Sequence, residues 1–120
     1  MRKLIKSQLD TVCNRVYSSV ADCDALYPHI VYSFPVTRKT DAMNAVTVDI
    51  EVWTKSQIEA NDIVDKVEKL FDNVNLPQDD ILPTFFVENI KEVPDEDKTI
   101  VHRHIELSVQ NYEREELNNG

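Results

Sequence analysis

Residues 46–71 read VTVDIEVWTKSQIEANDIVDKVEKLF and decide the fold. Apolar residues occupy every second position from Val46 to Val52, which is the period of a β-strand with one buried face. From Ile63 onward the apolar residues recur instead at the spacing of one helix face. Between the two segments, Ser56 and Glu59 form the pattern of a helix-capping box. The stretch therefore predicts a strand, a short polar corner and a helix.

The chain before this stretch predicts one more helix and one more strand. Apolar residues at spacings of four and three predict a helix over residues 2–20, with Cys13 packed inside it. Residues 30–36 alternate and predict a strand, in which Pro35 indicates an edge or a strand end. Residues 37–45 have no apolar period and predict a long hairpin loop.

The chain after the central helix predicts a long antiparallel hairpin. Its strands cover residues 84–93 and 99–112, with a polar turn between them. The resulting order is α-β-β-α-β-β in one α+β domain spanning residues 1–112. We expect two layers: an antiparallel-rich, four-stranded sheet with both helices on one face. Residues 113–120 carry too little apolar content to pack, so we expect this tail to fray.

The composition of the chain limits which classes of function are compatible with it. The chain has 120 residues, enough for one domain with a real core. Its net charge of −9 disfavours binding to a nucleic-acid backbone. Two cysteines ten residues apart, Cys13 and Cys23, with no visible secretion signal, predict reduced thiols in a cytoplasmic setting. No apolar run at the amino terminus is long enough to span a membrane.

The face of the sheet away from the helices is predicted to carry aromatic residues. Trp53 lies opposite the core face of its strand, and the consecutive Phe85 and Phe86 must point to opposite faces. One of these two phenylalanines therefore needs a partner outside the core. Loops could cover it, but together with Trp53 it favours a subunit interface formed by Trp53, Phe85 and Phe86.

Candidate catalytic and metal-binding motifs are weak in this sequence. The single glycine is Gly120, so the usual phosphate-binding loops and nucleophile elbows cannot be built. His102 and His104, two residues apart on one strand face, could ligate zinc only with a third ligand from elsewhere. The simpler interpretation is exposed histidines on a solvated or interfacial strand. His29 has no other histidine near it in the sequence and is a weaker candidate for a metal ligand.

Acidic pairs are the other candidates. Asp49 and Glu51 share a strand face and could act as paired carboxylates, but the following lysine does not have the spacing typical of nuclease sites. A solvated or interfacial acidic stripe is the favoured interpretation. Asp79-Asp80 and Asp95-Glu96-Asp97 are expected to be solvated turns, although either could hold calcium weakly. No cofactor and no metal are expected.

The chain resembles the small tail-terminator, or tail-completion, proteins that join tail to head in long-tailed bacteriophages and related prophages. The residues that carry the resemblance are the acidic alternating strand 46–53, the corner Thr54-Lys55-Ser56 and the helical segment 59–67. An amino-terminal helix before them and a closing hairpin after them complete the similarity, which spans roughly residues 3–112.

The resemblance implies a non-enzymatic virion protein. Such proteins form a ring, usually a hexamer, at the head-proximal end of the tail tube, where they stop tube growth. The implied partners are further copies of the chain, the tail tube protein and the head connector or stopper. DNA is expected to pass through the lumen without specific binding, which suits an acidic chain. Assembly is expected in the host cytoplasm, with no membrane involved.

Two other classes of function stay open at this stage. One is a small metal-dependent hydrolase or nuclease-like enzyme that uses Asp49 and Glu51, and the other is a monomeric regulatory adaptor. Metal dependence separates the first from a ring protein, and oligomeric state separates the second. In the ring hypothesis, the loop bearing Arg38, Lys39 and Met43 is the expected docking element for the partner.

Overall fold

The computed structural model describes residues 2–22, 24–39, 43–76 and 83–112. The helices are α1 (Arg2–Leu9) and α2 (Gln57–Phe71). The strands are, in chain order, β1 (Val16–Ser18), β2 (His29–Lys39), β3 (Met43–Thr54), β4 (Val74–Asn75), β5 (Thr84–Val93) and β6 (Val101–Tyr112). No helix in these ranges is long and apolar enough to cross a membrane.

The described strands form one curled, mixed sheet in the order β1-β2-β3-β6-β5-β4. All neighbouring strands are antiparallel except β1 and β2, which run parallel. The α+β class and the antiparallel character are as predicted. The predicted four strands are wrong, because two short strands, β1 and β4, extend the sheet at its two sides.

The core lies between the sheet and both helices. Ile5 and Leu9 of α1 and Ile63, Val67 and Phe71 of α2 join one buried cluster with the inward side chains of the strands. From the four long strands these include Ile30, Tyr32, Val46, Val48, Ile50, Val52, Phe85, Ile105, Leu107 and Val109. Both helices therefore cover one face of the sheet, as predicted, and we call the other side the outer face.

The predicted strand-corner-helix unit is confirmed. β3 runs straight into the corner, where the Thr54 hydroxyl donates to the Ser56 carbonyl at 2.8 Å. Ser56 is the N-cap of α2, and its Oγ accepts from the Glu59 amide at 3.3 Å. After α2, Asn73 takes the left-handed conformation, with φ of 55°, that glycine more often provides. The chain thus leaves the helix without a glycine and enters β4.

The predicted first helix is too long. α1 ends at Leu9, and residues 10–14 form turns in which the Cys13 amide donates to the Leu9 carbonyl at 3.0 Å. Cys13 is buried, but it lies after the helix and not within it. Val16 to Ser18 pair with β2 instead of continuing the helix. Asp, Thr, Val, Cys and Asn in a row are poor helix formers, so pairing with a sheet edge prevails over the apolar spacing.

The predicted hairpin loop at 37–45 is also too long. β2 and β3 stay paired out to Lys39 and Asn44, which leaves only positions 40–42, outside the described residues, to connect them. The register shifts between Ser33 and Val36, so the alternation that begins at Ile30 is not regular through Val36. Backbone pairing with β3 thus orders a segment whose side-chain pattern shows no period. The predicted tail at 113–120 also lies outside the described residues.

Candidate functional site

A row of aromatic rings crosses the outer face of the sheet. The strand register places His29 beside Trp53, and Trp53 beside His102, on three neighbouring strands. The Trp53 ring lies 4.1 Å from the His102 ring and 5.3 Å from the His29 ring, centroid to centroid, and is nearly parallel to both. We call His29, Trp53 and His102 the ring stack. Trp53 is outside the core, as predicted, and half-buried by the two imidazoles.

Two tyrosines extend the ring stack at its β1 side. Tyr27 lies 5.1 Å from the His29 ring, and Tyr17 meets the same ring edge-on at 6.1 Å. The Lys55 ammonium in turn lies 5.2 Å from the centre of the Tyr27 ring, within the range of a cation–π contact. The stack therefore ties β1, β2, β3 and β6 together on the side opposite the helices.

Two carboxylates of β3 each contact a histidine of β6. His102 Nε2 lies 3.1 Å from Glu51 Oε1, and His104 Nε2 lies 3.0 Å from Asp49 Oδ1. The His102–Glu51 contact is a hydrogen bond in which the imidazole N–H donates to the carboxylate, whereas His104 and Asp49 are within ion-pair distance. Asp49 and Glu51 do share a face, as predicted, but each is engaged by its own histidine. This arrangement fits a structural ladder of polar pairs better than a carboxylate pair poised for acid–base chemistry.

The two histidines of the ring stack have lowered pKa values. Burial lowers the pKa of His102 below 6.5, although the Glu51 carboxylate opposes this shift. Burial also lowers the pKa of His29, while its hydrogen bond with the Leu26 carbonyl opposes the shift. Both imidazoles therefore favour the neutral form near pH 7. The sequence-based interpretation of His102 as exposed is wrong, because only 9% of the residue is accessible.

The turn at Asp95-Glu96-Asp97, expected to be solvated although able to hold calcium weakly, is organised by hydrogen bonds to its own backbone and to Thr99. Asp97 Oδ1 accepts from the Thr99 amide at 2.9 Å and from the Thr99 hydroxyl at 2.7 Å. Asp95 Oδ1 accepts from the Asp97 amide at 2.9 Å. Asp79-Asp80 lies outside the described residues. Across the ranges that the structure describes, no three His, Cys, Asp or Glu side chains are grouped so that they could hold a metal.

The neighbouring phenylalanines divide between the two faces, as predicted. Phe85 is fully buried, with its ring 5.2 Å from that of Phe71. Phe86 is half-buried and pairs with Ser108, an outer-face position. The structure thus removes Phe85 from the predicted interface set, which becomes Trp53 and Phe86. Phe85 belongs to the core because its register partner is the inward Val109.

The predicted docking residues lie at the far end of the β2–β3 hairpin. Arg38 is paired with Ala45, and Met43 opens β3 opposite Tyr112 of β6. Lys39 ends β2. These positions are strand positions and not parts of a long loop.

Sequence reasoning missed the role of His29. As a lone histidine it has no motif in the sequence, yet it forms one side of the ring stack. The only signal is its place at the start of β2, since a hairpin register is needed to bring it opposite Trp53.

Comparison with known proteins finds similarity in structure alone. No protein-family model matches the sequence, and no curated protein matches it. The fold is that of a gene transfer agent virion chain. One matching chain comes from a structure described as the virion of a native gene transfer agent particle. Its TM-score is 0.66, and its sequence is 12% identical to this one. The match covers 90% of this chain and 91% of the other, so the two share the whole architecture.

Proposed function

We propose that this chain is a non-enzymatic structural component of a phage-like virion, and specifically a ring protein at the head-proximal end of a tail. The observation that carries the proposal is the similarity of fold to a gene transfer agent virion chain over nine-tenths of both chains. The sequence resemblance to tail-terminator proteins is the reason for proposing a position at the head-proximal end of the tail. The ring, usually a hexamer, would stop tube growth and join the tail to the head.

Features of the molecule agree with such a role. The outer face holds aromatic and charged residues that cover one another only in part, as at a surface that packs against another protein. Trp53 and Phe86 are half-buried there. The net charge of −9 repels the phosphate backbone, so DNA would pass through the lumen of the proposed ring without being retained. The proposed partners are further copies of the chain, the tail tube protein and the head connector, which Arg38, Lys39 and Met43 would meet.

The alternative classes find less support. A hydrolase built on Asp49 and Glu51 would need both carboxylates available, whereas Glu51 is hydrogen-bonded to His102 and Asp49 lies 3.0 Å from His104 Nε2. A monomeric adaptor would leave Trp53 and Phe86 with no partner to cover them. Neither alternative accounts for the full-length similarity to a virion chain.

Electron microscopy of negatively stained protein tests the proposal directly. We expect closed rings when the purified protein is concentrated, and light scattering should give a mass that is a multiple of the single chain. Tail tubes assembled with the protein should be capped at one end only. A strictly monomeric protein under both conditions, or tubes whose length is unaffected, contradicts the ring.

The Trp53→Ala variant tests the interface on the outer face. A central aromatic residue typically contributes about 2 kcal/mol or more to an interface, so we expect association to weaken by at least roughly 30-fold. The chain should still fold, because Trp53 lies outside the core and loses only ring contacts worth about 1 kcal/mol each. Ile58→Ala is the matched control, since Ile58 is 83% exposed on α2, away from this face. Equal association of the two variants would remove Trp53 from the interface.

A further inference from the structure

The sheet is open along part of β5. β4 pairs only with Thr84 and Phe85, and the Asp72 carboxylate then accepts from the Val87 amide at 3.3 Å. From Glu88 to Val93, no strand among the described residues pairs with β5 on the side away from β6. The side chains of residues 88–92 are exposed. Glu88 falls at a register shift between β5 and β6, so the regular part of this edge is Asn89–Val93, which is within the usual length of a strand.

The opposite side of the sheet is open along part of β2. β1 pairs with β2 only from Ile30 to Tyr32, and the Ser19 amide donates to the Tyr32 carbonyl at 2.8 Å. From Val36 to Lys39, within the part of the chain that the structure describes, β3 is the only strand paired with β2. The sheet therefore has two open edges: Glu88–Val93, the β5 edge, and Val36–Lys39, the β2 edge.

The two open edges run in opposite directions. β2 is antiparallel to β3, β3 to β6 and β6 to β5, so three reversals separate the two edge strands. A second copy placed alongside in the same orientation brings its β2 edge antiparallel to the β5 edge of the first. The joint would thus be the kind of ladder that already holds most of this sheet.

The charges of the two edges are opposite. The β2 edge carries Arg38 and Lys39, whereas the β5 edge carries Glu88 and Glu92 with a single Lys91. Glu88 accepts from the Ser108 hydroxyl of its own chain through Oε1 at 2.6 Å, which leaves its second carboxylate oxygen for a neighbour. Glu92 is 64% exposed, although it lies 4.0 Å from Arg103 of its own chain. Charged residues on an open edge protect it from pairing with a copy of itself. Here the same charges repel like edges and attract unlike ones.

We propose that the β5 edge of one copy pairs antiparallel with the β2 edge of the next copy. This inference rests on the proposed ring, for which it supplies a backbone contact in addition to the proposed outer-face contact of Trp53 and Phe86. Because the two edges are different surfaces, the contact is heterologous, and such contacts generate closed rings when the rotation between copies closes. Antiparallel pairing places Glu88 near Arg38 and Lys39. In this arrangement Arg38 and Lys39 contact the neighbouring copy, and Met43, the first residue of β3, is the proposed docking residue left for the connector.

The positions of the edges set how neighbouring copies are staggered. Through the register, the centre of the β5 edge lies level with Glu51 of β3, and the centre of the β2 edge lies level with Ala45. Pairing them shifts one copy along the strands by about five residues, or roughly 17 Å. Four strands measure ~19 Å across, so the strands would tilt by roughly 40° to the ring axis. Tilts of this size are usual where a sheet closes on itself.

Disulfide cross-linking between two different variants tests the contact. Glu88→Cys protein is mixed with Arg38→Cys or Lys39→Cys protein and oxidised mildly; the two positions together sample both faces of β2. All carry Cys23→Ser, whereas Cys13 is buried and is kept. We expect disulfide-linked dimers in a mixture and none in any variant alone. Linked dimers in the Glu88→Cys protein alone would indicate like-edge pairing, and no link in either mixture would also overturn the proposal.

Charge reversal provides a second, independent measurement. Arg38→Glu with Lys39→Glu should reduce association by at least tenfold, and adding Glu88→Lys with Glu92→Lys should restore most of it. The matched control is Lys3→Glu with Lys69→Glu, two exposed lysines on the helices, which makes the same change in net charge and should assemble normally. Equal loss in the control, or no rescue, contradicts the edge pairing.

The two tests separate this inference from the ring itself. Rings in the electron microscope without cross-links would retain the ring and reject the edge contact. Cross-links that build open filaments, with no rings under any condition, would retain the edge contact and reject the ring.

Discussion

At the scale of single residues, Phe85 and Phe86 are adjacent but have different roles. Phe85 fills the core against Phe71, whereas Phe86 lies half-buried on the outer face. The sequence predicts that the two residues separate, since successive side chains of a strand point to opposite faces. It does not predict which of them is buried. That is decided by pairing with β6, which places Phe85 beside Val109.

The pair offers a matched test of the register. We expect Phe85→Ala to lower the free energy of unfolding by about 3–5 kcal/mol, because it leaves a cavity in a closely packed core. Phe86→Ala should cost about 1 kcal/mol or less for the isolated chain and should act mainly on association. Urea unfolding of both variants under monomeric conditions measures the difference. Equal losses would place both rings in the core.

The histidines of the ring stack couple stability to pH. Burial holds the pKa of His102 and of His29 below 6.5, so the unfolded chain takes up these protons first as the pH falls. Stability is therefore complete above about pH 6.5 and decreases below it, down to the folded-state pKa values. Neighbouring charges modify this effect at His102, since Glu51 and Asp95 raise its pKa and His104 lowers it.

Thermal unfolding between about pH 7.5 and pH 5 measures this coupling. We expect the wild-type Tm to fall over this range, and His102→Gln and His29→Gln each to reduce the dependence. Gln keeps a polar side chain but cannot take up a proton. A double variant whose Tm depends on pH as steeply as that of the wild type would assign the dependence to other groups.

At the scale of elements, the corner between β3 and α2 is the most locally determined part of the fold. The Ser56 half of the predicted capping box forms, since its Oγ accepts from the Glu59 amide, whereas the Ser56 amide donates to the Thr54 hydroxyl and not to the Glu59 carboxylate. The end of α1 is not determined locally. The apolar spacing typical of a helix continues after Leu9, but the chain leaves the helix there and forms β1 at Val16–Ser18. A local hydrogen bond defines the first boundary, and pairing with a distant strand defines the second.

The Ser56→Ala variant tests the corner. Removing the hydroxyl leaves the Glu59 amide without its side-chain acceptor, so we expect a loss of about 1 kcal/mol in the free energy of unfolding. Ser7→Ala is the control, since the Ser7 hydroxyl only returns to the Leu4 carbonyl within α1. Denaturant unfolding compares the two. A smaller loss for Ser56→Ala than for Ser7→Ala would show that the cap contributes nothing.

At the scale of the whole molecule, net charge bears on the proposed assembly. With 22 acidic and 13 basic residues, the chain repels a phosphate backbone at long range. In the proposed ring this repulsion would grow with the number of copies, which would favour passage of DNA over its retention.

We therefore expect no binding of duplex DNA at about 150 mM salt. The Debye length is then roughly 8 Å, so the repulsion still acts close to the protein surface. Fluorescence anisotropy with a labelled duplex measures it, for the single chain and for the assembled ring. A duplex that binds and is released as salt rises would show a basic surface created by assembly.

The sequence by itself determined the α+β class, the long strands, the position of α2 and the core face of β3. These follow from side-chain periodicity and local capping, which involve residues close along the chain. Only the tertiary structure decided the two short strands, the ring stack around Trp53, the histidine–carboxylate pairs and the choice between Phe85 and Phe86. Each depends on the register between strands distant in sequence, and register is set by how the whole sheet packs against the helices.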